Sequence, residues 1–211
     1  MSLRGDNVIE KGAGIKDLIE PLLLFFVIFF APASTGFPEV ERSLFFRIPA
    51  LALVFRFVPE PLRFFRPAGK DLRCFAVALP ALAVTGLGVS FMAARSGVFP
   101  GMPVRPPESA AAWTAVLLAS LTAGFLEEGY FRVYLLEHMN KAGMKAKEAA
   151  AAAVVLFSLC HWYEGLWGVV NAALAGIILS FLFLKSKSFY GIALAHGCYN
   201  IGVYAFTALY R

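Results

Sequence analysis

Long apolar runs, separated by short basic or proline-rich stretches, make up most of the chain. Runs long enough, or nearly so, to cross a hydrocarbon core fall at about 18–33, 43–58, 71–93, 109–137, 147–163, 166–184 and 189–209. The pattern predicts an all-α fold, a polytopic transmembrane helix bundle of about seven spans. The second run is the weakest: it is short and holds Arg47, Pro49 and Arg56, arginines that would snorkel from its two ends or mark an interfacial helix. Pro32, Pro38, Pro59, Pro61, Pro67 and the cluster from Pro100 to Pro107 lie at or between the expected ends, where helices break. Pro80 falls inside the third run and predicts a kink there. There is no internal repeat, and the run Ala149–Ala153 reads as a close-packing helix surface.

Composition agrees with the periodicity. With 59% hydrophobic and 16% charged residues among 211, the chain has too little polar surface for a soluble globular domain, and no polar stretch is long enough to be a second one. One compact membrane bundle is expected. The formal charge of +5 is spread between apolar segments and does not form a nucleic-acid patch. Alternate segments nevertheless differ in charge. One set carries Arg4, Lys11, Lys16, Arg63, Arg66, Lys70, Arg73, Lys141, Lys145, Lys147, Lys185 and Lys187; the other carries Arg42, Arg95, Arg105 and Arg211. That bias predicts a cytoplasmic N-terminus and an external C-terminus, and the alternation survives only if the second run is kept as a span. Cys74, Cys160 and Cys198 lie in apolar segments without CxxC spacing and read as small buried hydrophobes. Asp6, Glu10 and Asp17 stand among the N-terminal basic residues and no small-residue cleavage site follows the first run, so no removable signal peptide is expected.

Against this background, ionisable residues inside apolar runs stand out. Glu127, Glu128 and Arg132 occupy the fourth run, where a charge at mid-bilayer costs at least about 2.5–3.5 kcal/mol. Glu128 and Arg132 are four apart with the acid first, the favourable order for an ion pair on one helical face. Glu127 points about 100° away and is left to face something else. The same three residues would also serve as a purely structural ion cluster.

His161 ends the fifth run beside Trp162 and Tyr163, and alone it reads as an interface residue. Glu127 and His161 are nearly equidistant from Met144, however, so a hairpin turning near Asn140–Lys145 brings them to one level, roughly 25 Å from the turn along straight helix. In the last run, His196 and Asn200 are four apart and project from one face into the bundle interior, since facing lipid unpartnered would cost several kcal/mol. They would also serve as hydrogen-bonding glue between helices. Together the four suggest hydrolysis of a peptide bond within the membrane: Glu127 and His161 deprotonate a water, and His196 and Asn200 donate to the oxygen that becomes negative.

The ordered set Glu127-Glu128-x-x-x-Arg132, Phe157-x-x-x-His161 and His196-x-x-x-Asn200 resembles the CAAX protease and bacteriocin-processing family of glutamate-type intramembrane endopeptidases, also called the Abi family. The likeness covers about residues 109–209. It implies Glu127 and His161 as the water-activating pair, His196 and Asn200 as the oxyanion site, and Glu128, Arg132 and Phe157 as support. It further implies a four-span catalytic core over 109–211, with 1–108 as scaffold. Family members act on prenylated C-termini, leader peptides or membrane-anchored sorting tails; the chain is shorter than the eukaryotic enzymes, which favours processing in a prokaryotic cytoplasmic membrane.

Two other classes fit part of the pattern. A non-catalytic membrane immunity or binding protein would keep the polar cluster for structure or peptide gripping. A small transporter would use the glutamates and histidines as a proton relay, against which the missing inverted repeat counts. The expected cofactor is none. The alternative is a zinc-dependent version, in which Glu127, His161 and His196 ligate the ion, although no HExxH element is present.

Overall fold

Helix ends lie where backbone chemistry puts them. The computed structural model describes residues 15–29, 38–58, 61, 64, 68–98 and 104–209, and among these the chain is helical with no strand. Helix α1 spans Ile15–Phe29. A second arm joins α2 (Glu39–Arg42), a π-helical segment (Ser43–Arg47) and α3 (Ile48–Arg56) without a break. Pro49, at the start of α3, has no N–H to return to the preceding turn, and the widened π turn sits immediately before it. Helix α4 (Gly69–Ser96) continues through Pro80 and stops at Gly97, which adopts the left-handed φ of 67°. After Pro106 and Pro107, Ser109 caps α5 (Ala110–Glu128) by accepting from the Ala112 amide at 3.1 Å. A second π segment (Gly129–Leu135) and α6 (Leu136–Lys141) prolong that arm. Then follow α7 (Ala146–Leu159), a 3₁₀ turn (Trp162–Glu164), α8 (Gly165–Ser186) and α9 (Phe189–Leu209).

Each arm overlaps one of the seven apolar runs, so the helical membrane bundle read from hydropathy is the observed architecture. Four stretches, Gly69–Ser96, Ala110–Lys141, Trp162–Ser186 and Phe189–Leu209, are long and apolar enough to cross a membrane. The remaining arms are shorter, with 15 residues in α1 and 14 in α7, and stand beside the full-length helices. The weak second run is helical and packs on α5 and the second π segment. Large apolar side chains, among them Leu72, Val84 and Phe91 on α4 and Phe181 on α8, face outward, the surface of a protein that meets lipid. Arg4, Asp6, Glu10, Lys11, Arg63, Arg66, Arg211 and the prolines at 32, 59, 67, 100 and 103 lie outside the described residues, as do the side chains of Lys16 and Asp17.

Two interhelix contacts set the register of α9. At one end, the tight link between α8 and α9 is tied to the start of α4. Ser188 Oγ donates to Asp71 Oδ1 at 2.6 Å, Asp71 Oδ2 accepts from the Ala68 amide at 2.7 Å, and Lys70 Nζ donates to the Lys187 carbonyl at 2.9 Å. Lys187 turns the chain with φ 51°. Further along, α5 and α9 touch backbone to backbone. A Cβ on Gly124 would lie 2.8 Å from both the Ala193 carbonyl oxygen and the Gly197 amide nitrogen, so glycine is what allows the approach. At the opposite end from Ser188, the Trp167 indole donates to Ser96 Oγ at 3.1 Å, bringing the start of α8 to the end of α4.

The N-terminal arm closes over the second π segment. Tyr130 donates to the Pro21 carbonyl at 2.6 Å and Tyr134 to Glu20 Oε1 at 2.9 Å. Phe25 and Phe29 pack on Tyr130 and Phe131, with Phe29 and Phe131 centroids 5.2 Å apart.

Candidate active site

The two glutamates are the last residues of α5, and the π segment begins immediately after them. A π turn widens the helix and changes which side chains share a face, and such turns occur often at functional sites. The expected pairing survives that change: Arg132 Nε lies 3.2 Å from Glu128 Oε2, with both side chains buried. The guanidinium also lies over the Phe157 ring at 4.5 Å, and its Nη2 reaches the Gly176 carbonyl at 3.5 Å, the long limit of a hydrogen bond. Arg132 is therefore enclosed by its own helix, α7 and α8. Removing either partner of a buried pair strands the other charge, at about 3–5 kcal/mol.

The close crossing at Gly124 and Gly197 determines what meets the glutamates. Glu128 follows Gly124 by four residues on α5, and His196 immediately precedes Gly197 on α9. His196 consequently sits between the two carboxylates: Nδ1 is 2.9 Å from Glu128 Oε1, and Nε2 is 3.8 Å from Glu127 Oε2. The imidazole is 7% exposed and Glu127 19%, yet Glu127 Oε2 itself is enclosed and has no hydrogen-bond partner among the described residues. Glu128 Oε2 likewise accepts no hydrogen bond among the described residues, but it lies 3.2 Å from the Arg132 guanidinium, whereas the nearest ion-pairing group to Glu127 Oε2 is His196 at 3.8 Å.

His161 lies one residue beyond the C-cap of α7, in the turn leading to Trp162. Its Nδ1 donates to the Phe157 carbonyl at 2.9 Å, since a carbonyl only accepts. The ring stacks against Tyr163, with centroids 6.4 Å apart, and lies 4.8 Å from Phe157. Phe157 in turn contacts His196 edge-on at 5.8 Å. Phe157 therefore separates the two histidines and carries Arg132 on its face. Among the described residues no hydrogen bond joins His161 to Glu127. Asn200 stands half-buried one turn beyond His196 on the same helix.

Of the predicted site residues, the structure gathers Glu127, Glu128, Arg132, Phe157 and His196 into one cluster. His161 joins it through Phe157, and Asn200 flanks it along α9. The sequence reading missed the contact between Glu128 and His196, having given Glu128 only Arg132 as partner. A signal for it was present: Gly124 and Gly197 are small residues next to the two motifs, the pattern that lets membrane helices approach closely. Among the described residues no three His, Cys, Asp or Glu side chains are grouped so as to hold a metal ion.

Chemically, the cluster places a carboxylate and an imidazole side by side inside a membrane bundle, with the half-buried Asn200 one turn further along α9. Such groups can take a proton from water and donate hydrogen bonds to developing negative charge. A family model described as Rce1-like, type II CAAX prenyl endopeptidase, matches residues 109–202, a stretch that runs from the cap of α5 past Asn200. No curated protein and no solved structure matches the chain. Over residues 109–202, with all three motifs inside the match, the chain is similar to the type II CAAX prenyl endopeptidases of the Rce1-like family.

Proposed function

We propose that the protein hydrolyses a peptide bond of a membrane-anchored or secreted peptide substrate, with Glu127 and His161 activating water and His196 and Asn200 stabilising the oxyanion. The observation that carries this reading is the uncommitted oxygen of Glu127, enclosed beside His196 in the segment that matches the endopeptidase family. In the reaction, Glu127 takes a proton from water as the water oxygen bonds to the carbonyl carbon. The carbonyl pair moves to oxygen, where His196 and Asn200 donate. When the carbon–nitrogen bond breaks, the proton passes from Glu127 to the departing amine. His161, its Nδ1 fixed on the Phe157 carbonyl, orients the water through Nε2. Glu128 and Arg132 hold the end of α5 in place.

In this reading residues 109–211 carry the chemistry and 1–108 form the scaffold, α1 bracing the π segment through Tyr130 and Tyr134. No cofactor is required. The substrate class is a leader peptide, a sorting tail or a prenylated C-terminus, and the membrane is a prokaryotic cytoplasmic one with the N-terminus inside. Support for that orientation comes from Lys70 and Lys187, which share one end of the bundle while Ser96 and Trp167 meet at the other. The site then falls in the inner half, since His196 is seven residues into α9, about 10 Å from its start.

The test is cleavage of two fluorogenic peptides, one ending in a farnesylated CAAX sequence and one carrying a leader junction, by the purified protein in detergent micelles. Glu127→Gln is expected to lower turnover by about 10²–10⁴-fold with folding retained. A variant that still cleaves would overturn the assignment, and a wild-type protein that binds either peptide without cutting it would favour the binding-protein class.

A further inference from the structure

Glu127 can be approached from one side. Toward the π segment, Glu128, Tyr130, Phe131, Arg132 and Phe157 are all closed off from solvent. Toward the end of the bundle where α8 begins, His161, Glu164 and Asn200 are half-buried and Tyr163 is exposed. A peptide that reaches Glu127 from that end passes the 3₁₀ turn between α7 and α8, and the turn carries a carboxylate, Glu164, that the proposed chemistry does not use. The Glu164 amide donates to the His161 carbonyl at 3.0 Å, so the two residues share one turn. The charges of both Glu127 and Glu164 reach the hydroxyl of Tyr163 between them.

Two structural roles for Glu164 are excluded by its contacts. It is the N-cap of α8, yet its side chain accepts no capping hydrogen bond. Nor does a lysine or arginine among the described residues pair with it, and Arg95, at the same end of the bundle, lies over Phe91 of its own helix at 4.9 Å. What comes near the carboxylate is neutral, the hydroxyls of Tyr163 and Tyr199. Its position is nonetheless set by shape. A Cβ on Gly168 would collide with Glu164 Cβ and come within 3.0 Å of Oε2, so the side chain lies along the first turn of α8. Tyr199 is fixed too: its ring takes the space a Cβ on Gly86 would need, and its hydroxyl accepts from Asn171 Nδ2 at 3.2 Å. Tyr199 adjoins Asn200, so one wall runs from the oxyanion residues to Glu164. A half-buried carboxylate with neutral neighbours bonds strongly to a cation that arrives, and beside Glu127 it repels an anion.

We infer that Glu164 is a specificity-determining residue that receives a basic side chain, lysine or arginine, of the substrate peptide near the bond that is cut. The bond that is cut rests on the peptidase reading; the contact with the basic side chain does not. Glu164 takes no part in the proton transfers, so its loss changes which peptides are accepted and leaves the chemical step intact.

The experiment uses the full chain in detergent micelles and versions of the two fluorogenic peptides with lysine, glutamine or glutamate placed in turn at each position. Their amino termini are acetylated, because a free terminus offers the same charge. Wild-type protein is expected to favour lysine over glutamine at one position by about 5–10-fold in kcat/KM and to disfavour glutamate there. Glu164→Gln should erase that preference while turnover of the glutamine peptide stays unchanged, and Glu164→Lys should favour glutamate instead. A weakened fold lowers all peptides together and cannot exchange their order. The absence of a lysine preference at any position overturns the inference, as does a preference that Glu164→Gln leaves untouched or one that appears only when the terminus is free. Fluorescence anisotropy of the same peptides needs no cleavage. A lysine preference in binding that Glu164→Gln removes, in a protein that cuts neither peptide, would remove the peptidase reading and leave the contact standing.

Discussion

Two buried carboxylate sites hold the same bundle together, and they are built differently. At the start of α4, Asp71 accepts from a hydroxyl and a backbone amide, one on each oxygen, and both contacts are short. At the end of α5, Glu128 meets Arg132 and His196, Glu127 faces His196, and neither Glu127 Oε2 nor Glu128 Oε2 has a hydrogen-bond donor among the described residues. The first arrangement is a fastener: every acceptor is satisfied by a neutral donor, and nothing remains to react. The second keeps an oxygen in reserve at the cost of leaving buried polar atoms short of partners, which is what a proton acceptor requires.

Breaking the second site should cost more than breaking the first. Glu128→Ala strands Arg132 inside the bundle and is expected to lower stability by about 3–5 kcal/mol, read from thermal unfolding in detergent. Replacing both partners together, as Glu128→Leu with Arg132→Met, should cost less than the sum of the single changes, because no charge is left alone. Next in size is Gly124→Ala, whose added methyl would meet α9 backbone and not a flexible side chain. A loss of about 1–3 kcal/mol is expected, with activity falling as the distance from Glu127 to His196 widens. Asp71→Ala leaves Ser188 and the Ala68 amide without their acceptor and should cost about 1–3 kcal/mol while turnover per folded molecule stays unchanged. The smallest effect on cleavage belongs to His138→Gln, a histidine outside the cluster whose ring lies 5.7 Å from that of Tyr134; turnover per folded molecule should stay at the wild-type level.

Much of this contrast was legible in the sequence, and the missing part has a physical reason. The apolar runs gave every helical arm, because lipid exposure demands continuous hydrophobic stretches. The spacing of Glu128 and Arg132 gave their pair, because both lie on one helix. The hairpin at 142–145 lies within the predicted turn. What spacing on one helix cannot give is the register between helices. The meeting of Glu128 with His196 depends on how α9 slides along α5, and that is set by Gly124, Gly197 and the Asp71–Ser188 tie, residues that carry no ionisable chemistry or lie far off in sequence. The π segment after Glu128 was equally hidden, since Gly129–Leu135 reads as ordinary apolar helix. For the same reason the sequence reading gave no contact between Glu127 and His196, whose Nε2 lies 3.8 Å from Glu127 Oε2.

Isosteric amides at the two carboxylates give the most direct comparison, because Glu127→Gln and Asp71→Asn keep shape and change only charge and hydrogen-bonding capacity. Turnover of a cleavable peptide, measured per folded molecule, should fall by about 10²–10⁴-fold in Glu127→Gln and remain at the wild-type level in Asp71→Asn. Retained turnover in the Glu127 variant, or its loss in the Asp71 variant, would mean that the reactive carboxylate had been placed at the wrong site.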